Sequence, residues 1–119
     1  MEEIKETIKE LLGEVERDEY AQYSTEWEER AVEALNAWNL DERKNWDDFV
    51  YNADSEQFED MVRGQLEARG WVGLKFFLQG ISTTADWVRL DGYGNAVAVS
   101  GSDMVEMLKD TLQEIEDEQ

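Results

Sequence analysis

The residues best placed to act on another molecule are carboxylates, and their spacing is regular. Glu2, Glu6, Glu10, Glu14 and Asp18 recur at every fourth position near the start of the chain, and Glu106, Asp110, Glu114 and Glu118 do the same near its end. Glu29 and Glu33 repeat the interval once between them. On an α-helix this interval sets carboxylates about 6 Å apart along one line. Phosphates along one nucleic-acid strand project at about 3.4 Å, and a duplex carries a charge about every 1.7 Å of its axis. Two or more acid rows on neighbouring helices approach that density. The chemistry they offer is the display of fixed negative charge: competition for a basic groove, with release of the counterions around it. The competing reading is a solvated acidic face, the usual meaning of a charge run. Like charges at i,i+4 destabilise a helix by about 0.2–0.5 kcal/mol per pair, so rows of them persist only where they are tolerated or useful.

Composition narrows the chemistry further. The 119 residues include 30 acids and 11 bases, a net charge of −19, with no histidine, cysteine or proline. Without histidine the usual neutral-pH general base and the commonest transition-metal ligand are missing. Without cysteine there is neither a disulfide nor a thiolate metal site. Thirty acids bring some carboxylates together by chance, so glycosidase-like or metal-assisted chemistry is not excluded by residue type. Nothing singles out one pair, however, and a chain of this size leaves little room for a substrate cleft. The expectation is a protein that is not an enzyme and uses no cofactor or specific metal. Asp91-Gly92-Tyr93-Gly94-Asn95 lacks the spacing and the closing Glu of an EF-hand loop. No P-loop, dinucleotide fingerprint, nucleophile elbow or basic patch is present.

An anionic surface repels nucleic acid and anionic lipid, so the expected partner is a basic protein, with no direct nucleic-acid binding and no membrane. No apolar stretch reaches the roughly 18–20 residues of a membrane span, and the acidic start MEEIKETIKE is unlike a signal or transit peptide. These features predict an intracellular, soluble protein. Self-repulsion at −19 opposes compaction, but five Trp, four Tyr and four Phe supply apolar area that disordered acidic chains lack. Most of the Trp read as core. Tyr20 and Tyr23, in a polar segment between helices, and Tyr93, at a hairpin tip, are the candidate aromatic contacts.

The elements that must carry these residues follow from periodicity. Ile4, Ile8, Leu11 and Val15, with Leu12 beside them, predict an amphipathic helix over residues 2–19. Ser24 or Thr25 starts a helix over about 26–39, with Trp27, Ala31, Ala34, Leu35 and Trp38 inward and Asn39 and Asp41 as its punctuation. Thr25 has Glu28 in the capping-box position, whereas Ser24 has Trp27 there. A short helix around 42–51 places Trp46, Phe49 and Val50 inward. Asp54 or Ser55 caps a helix over about 55–69, which Gly70 ends. Residues 71–79 fit a buried helix or a strand, and a short helix is favoured. Trp87–Leu90 and Ala96–Val99 are β-prone runs joined by two Gly and an Asn within five residues, the signature of a hairpin. Ser100 or Ser102 starts a last helix with Val105, Leu108, Leu112 and Ile115 as its stripe.

The expected fold is therefore α+β: a mostly α-helical single domain of about five to six helices, with one antiparallel β-hairpin near residues 86–99. Along the chain it comprises an acidic helical part (1–70), a neutral apolar helix plus hairpin (71–100) and an acidic C-terminal helix (101–119). Residues 1–70 hold 21 acids and 8 bases and residues 101–119 hold 7 and 1, whereas 71–100 hold two of each. The neutral stretch reads as the anchor of the fold and the acid rows around it as the working surface. The apolar stripes leave a homodimer open.

In size, acidity and cysteine-free, helix-rich make-up, the chain resembles the DNA-mimic anti-restriction and anti-CRISPR proteins of phages and mobile elements. Residues 71–119 also resemble the C-terminal part of small phage and mobile-element proteins that share an apolar helix, a Gly, an Asp-aromatic strand, a D/N-G-Y-G-N turn, a second strand and an acidic tail helix. The matching residues are Phe76 to Gly80, Asp86-Trp87, Asp91 to Asn95 and the segment after Asp103. The resemblance implies an inhibitor, encoded by a phage or mobile element and acting in the bacterial cytoplasm, that blocks the basic cleft of a host-defence nuclease or other DNA-binding enzyme. An immunity protein, an antitoxin or an acidic chaperone for a basic partner shares the same charge and remains the alternative.

Overall fold

A computed structural model of the chain describes residues 2–42, 49–52, 87–90 and 96–118. It is mostly helical, with a small three-stranded antiparallel sheet. The chain divides into two compact units. One combines Met1–Asn45 with Ser100–Gln119, and the other, Trp46–Val99, is inserted within it in sequence. The neutral stretch falls in the inserted unit up to Val99.

The helical unit is built on α1 (Glu2–Arg17), α2 (Thr25–Asn36) and α3 (Gly101–Asp117), which pack pairwise. In α1 the predicted stripe faces inward: Ile8 and Leu11 are fully buried, while Ile4, Leu12 and Val15 are half-buried. Trp27, Ala31, Leu35 and Trp38 come in from α2 and its extension, and Met104, Leu108 and Ile115 from α3. Leu112, expected in that stripe, is only half-buried, and Thr111 is buried instead.

Helix boundaries are set by capping. Ser24, not Thr25, is the N-cap of α2: its Oγ accepts from the Trp27 amide at 3.1 Å. Trp27 takes no reciprocal part in the cap. Its ring is buried, and Nε1 donates to the Leu11 carbonyl at 3.1 Å, joining α2 to α1. Ser100 caps α3 through a reciprocal box, with Asp103 N donating to Ser100 Oγ (3.2 Å) and Ser100 N donating to Asp103 Oδ2 (2.9 Å).

Two departures from expectation concern helix ends. The first helix stops at Arg17 rather than running to residue 19. Asp18 is extended (φ −151°, ψ 102°), and its carboxylate accepts from Tyr20 N at 3.1 Å, opening a 3₁₀ turn over Glu19–Tyr23. At the other end of α2, Asn39 does not terminate the helix. The backbone widens into a π-helical segment, Ala37–Glu42, and buried Asn39 donates from Nδ2 to the Leu35 carbonyl at 3.0 Å.

The inserted unit contains β1 (Tyr51–Asn52), β2 (Trp87–Leu90) and β3 (Ala96–Ala98), in that order and all antiparallel. The predicted hairpin is present as β2–β3, with Val88, Arg89 and Leu90 opposite Ala98, Val97 and Ala96. The third strand is a correction: Tyr51, read as the end of a helix over 42–51, pairs with Val88, and Asn52 with Trp87. Tyr51 and Val88 share a buried face, and Phe49 meets Tyr51 edge-on, with ring centroids 4.8 Å apart. The expected helices over 55–69 and 71–79 and the Asp91–Asn95 turn lie outside the described residues.

Candidate functional site

The acid rows belong to the helical unit, whose residues hold 21 acids against 7 bases. Glu6 and Glu10 are exposed on α1, Glu29 and Glu33 on α2, and Glu106, Asp110, Glu114 and Glu118 at α3 and its C-cap. Each helix buries its apolar stripe against the other two, which leaves its carboxylates outward. That is the arrangement the fourth-residue spacing predicts.

Four members have structural duties that their spacing did not disclose. Arg30 reaches from α2 to α1, placing Nη1 2.8 Å from Glu14 Oε2 and 3.2 Å from Oε1. Its Nη2 lies 3.6 Å from Glu10 Oε1. One guanidinium thus spans two successive acids of the row and relieves their mutual repulsion. Glu114 accepts from the indole Nε1 of Trp38 at 3.0 Å. Asp18 caps the 3₁₀ turn, so the α1 row ends at Glu14. The Glu106–Lys109 pair is exposed and loose, at 3.7 Å.

The 3₁₀ turn presents the aromatic candidates. Tyr20 is 72% exposed and Tyr23 61% exposed. Three residues per turn eclipses positions i and i+3, so the two tyrosines stand on one edge of the turn. The turn is braced from beneath: Gly101 packs so closely on the Gln22 carbonyl that a Cβ at 101 would collide with it. Gln22 also donates from Nε2 to the Glu19 carbonyl at 2.8 Å. Tyr93 lies outside the described residues.

A groove of about 430 Å³, which no sequence motif announces, runs along α1 and α2. Ile4, Ala34 and Ala37 supply its apolar wall, and Glu3, Glu10 and Glu33 its acids. Thr7 and Arg30 complete the lining. The available signal was Arg30 itself, the only base between Asp18 and Glu42. The isolated cation of α2 stands where that helix meets the acid row of α1.

Among the described residues, no three carboxylates converge in a way that would hold a metal ion, and no helix is long and apolar enough to cross a membrane. No protein-family model, curated protein or solved structure matches this chain.

Proposed function

We propose that this protein is a non-enzymatic inhibitor that imitates nucleic acid and occupies the basic cleft of a host-defence nuclease or another DNA-binding protein. The observation that carries the reading is the pair of exposed acid rows, Glu6–Glu10 on α1 and Glu106–Asp110–Glu114–Glu118 at α3, within one helical unit of large negative charge. Burial of the opposite faces fixes the backbone positions from which those carboxylates project, and binding through such an array releases the counterions of a basic groove. The reading places the protein in the cytoplasm of a bacterial host, as a phage or mobile-element product, and retains five to six helices for the whole chain.

The test is capture from host lysate on the immobilised protein, eluted with a salt gradient. The expected partner is a nucleic-acid enzyme whose affinity falls steeply as salt rises. Charge reversal belongs at Glu6→Lys and Asp110→Lys, both exposed. Reversal at Glu14 or Glu114 would also break the Arg30 clamp or the Trp38 bond. Salt-insensitive capture, or full inhibition by the double reversal, refutes the reading.

The second reading, an immunity protein, antitoxin or acidic chaperone for a basic protein, is favoured by Tyr20 and Tyr23. Two braced, exposed tyrosines suit an interface with another protein's side chains better than charge mimicry alone requires. Capture of a basic toxin or effector with no nucleic-acid site would select it.

A further inference from the structure

We propose that the groove along α1 and α2 is the docking site for one basic side chain of the partner protein. An arginine or lysine lies along it, with its alkyl stem on Ile4, Ala34 and Ala37 and its charged head among Glu3, Glu10 and Glu33. The inference rests on the basic-partner reading above and assigns that partner a specific point of attachment.

Charge complementarity selects the occupant. Arg30 is the groove's own cation, and Glu14 meets it at 2.8 and 3.2 Å from outside the groove lining. Glu3, Glu10 and Glu33 are left in excess. Glu10 keeps only the longer 3.6 Å approach to Arg30 and is two-thirds exposed, so it can turn toward an incoming cation together with the exposed Glu3 and Glu33. Thr7 already donates its hydroxyl to the Glu3 carbonyl at 2.9 Å, so it offers the visitor no competing donor.

The wall decides what kind of cation fits. Ile4, Ala34 and Ala37 present hydrocarbon, which a small hydrated ion does not use and which the methylenes of arginine or lysine cover well. The groove exceeds one such side chain in volume, so it also admits part of the backbone that carries it. Nucleic acid is repelled by the acids at this site. A second copy of this chain, at −19, is opposed by the same repulsion.

The test uses the whole protein and a tetra-arginine peptide, followed by NMR titration at low salt through the methyl signals of Ile4, Ala34 and Ala37. These signals are expected to shift first. Glu3→Gln with Glu33→Gln should weaken binding about tenfold, the scale of two partly desolvated ion pairs, while Glu16→Gln with Glu116→Gln, which removes equal charge at exposed positions outside the groove and the acid rows, should weaken it less than about twofold. Ala37→Leu fills the wall without altering charge and should weaken binding by a similar order to the first pair. Equal effects of the two double variants, together with binding unaffected by Ala37→Leu, overturn the groove assignment but leave the acidic surface as a general basic-partner site. Absence of salt-dependent binding by the unaltered protein overturns both.

Discussion

Trp38 donates its indole Nε1 hydrogen to Glu114 Oε2 at 3.0 Å, joining the end of α2 to α3 across 76 positions of sequence. The ring is fully buried, whereas the carboxylate stands at the surface. One acid of a charge row therefore serves as the acceptor for a core side chain, and the two roles separate by substitution. Glu114→Ala should destabilise the protein by about 1–2 kcal/mol, through loss of a charge-assisted acceptor. Its neighbour in the row, Asp110→Ala, should stay within about 0.5 kcal/mol of the parent or gain slightly. Urea unfolding of both variants, completed as a double-mutant cycle with Trp38→Phe, measures the coupling.

Arg30 gives a second separation. Arg30→Gln removes the cation between Glu10 and Glu14, so the two acids repel each other and α2 loses its ionic tie to α1, while the Trp27–Leu11 hydrogen bond remains. Because the guanidinium is about one-third exposed, solvent screening limits the expected loss to about 1 kcal/mol. The difference from the parent should shrink in 1 M NaCl, where charges are screened within about 3 Å. A deficit that is unchanged by salt would mean that packing of the Arg30 stem, rather than its charge, holds the helices together.

Gly101→Ala tests the brace beneath the tyrosines. The added methyl meets the Gln22 carbonyl, a backbone atom that cannot swing aside, so the 3₁₀ turn or the start of α3 must move. The expected cost is about 1–3 kcal/mol, as for other overpacked sites. Amide shifts should concentrate over Glu19–Ser24 and Ser100–Met104, and shifts elsewhere alone would contradict the contact.

Salt should act on folding and on partner binding with opposite signs. Raising NaCl from low ionic strength screens the self-repulsion of a −19 chain and should raise Tm. The same change should weaken capture of a basic partner. Calorimetry and a binding titration over one salt series check both. A Tm that falls with salt would mean that attractive pairs such as Arg30–Glu14 outweigh repulsion in the folded state.

Tyr20→Ser with Tyr23→Ser removes two exposed rings and no buried area of consequence. Stability should change by less than about 0.5 kcal/mol, while affinity for a protein partner should fall about tenfold or more if the pair forms a contact centre. Unchanged affinity assigns the tyrosines no part in binding.

Local spacing determined much of this protein without reference to the fold. Ile4, Ile8, Leu11 and Val15 specify α1 because an apolar residue every third or fourth position makes one face, whatever covers it. Trp87–Leu90 and Ala96–Ala98 are legible as strands for a similarly local reason, each being a short β-prone run. The outward acid rows follow as the complement of the apolar stripes. Tertiary structure alone decided which positions meet. Tyr51–Asn52 is too short to show a strand period, and it becomes β1 because the open edge of β2 supplies hydrogen bonds that a helix end does not. Glu14 and Glu114 look identical in sequence to Glu6 and Asp110. They differ because Arg30 and Trp38 arrive beside them from another helix, and the need for Gly101 depends on a carbonyl 79 positions away, at Gln22. The groove on α1 and α2 is of the same kind: its acids were legible as charge, but its apolar wall exists only where two helix faces come together.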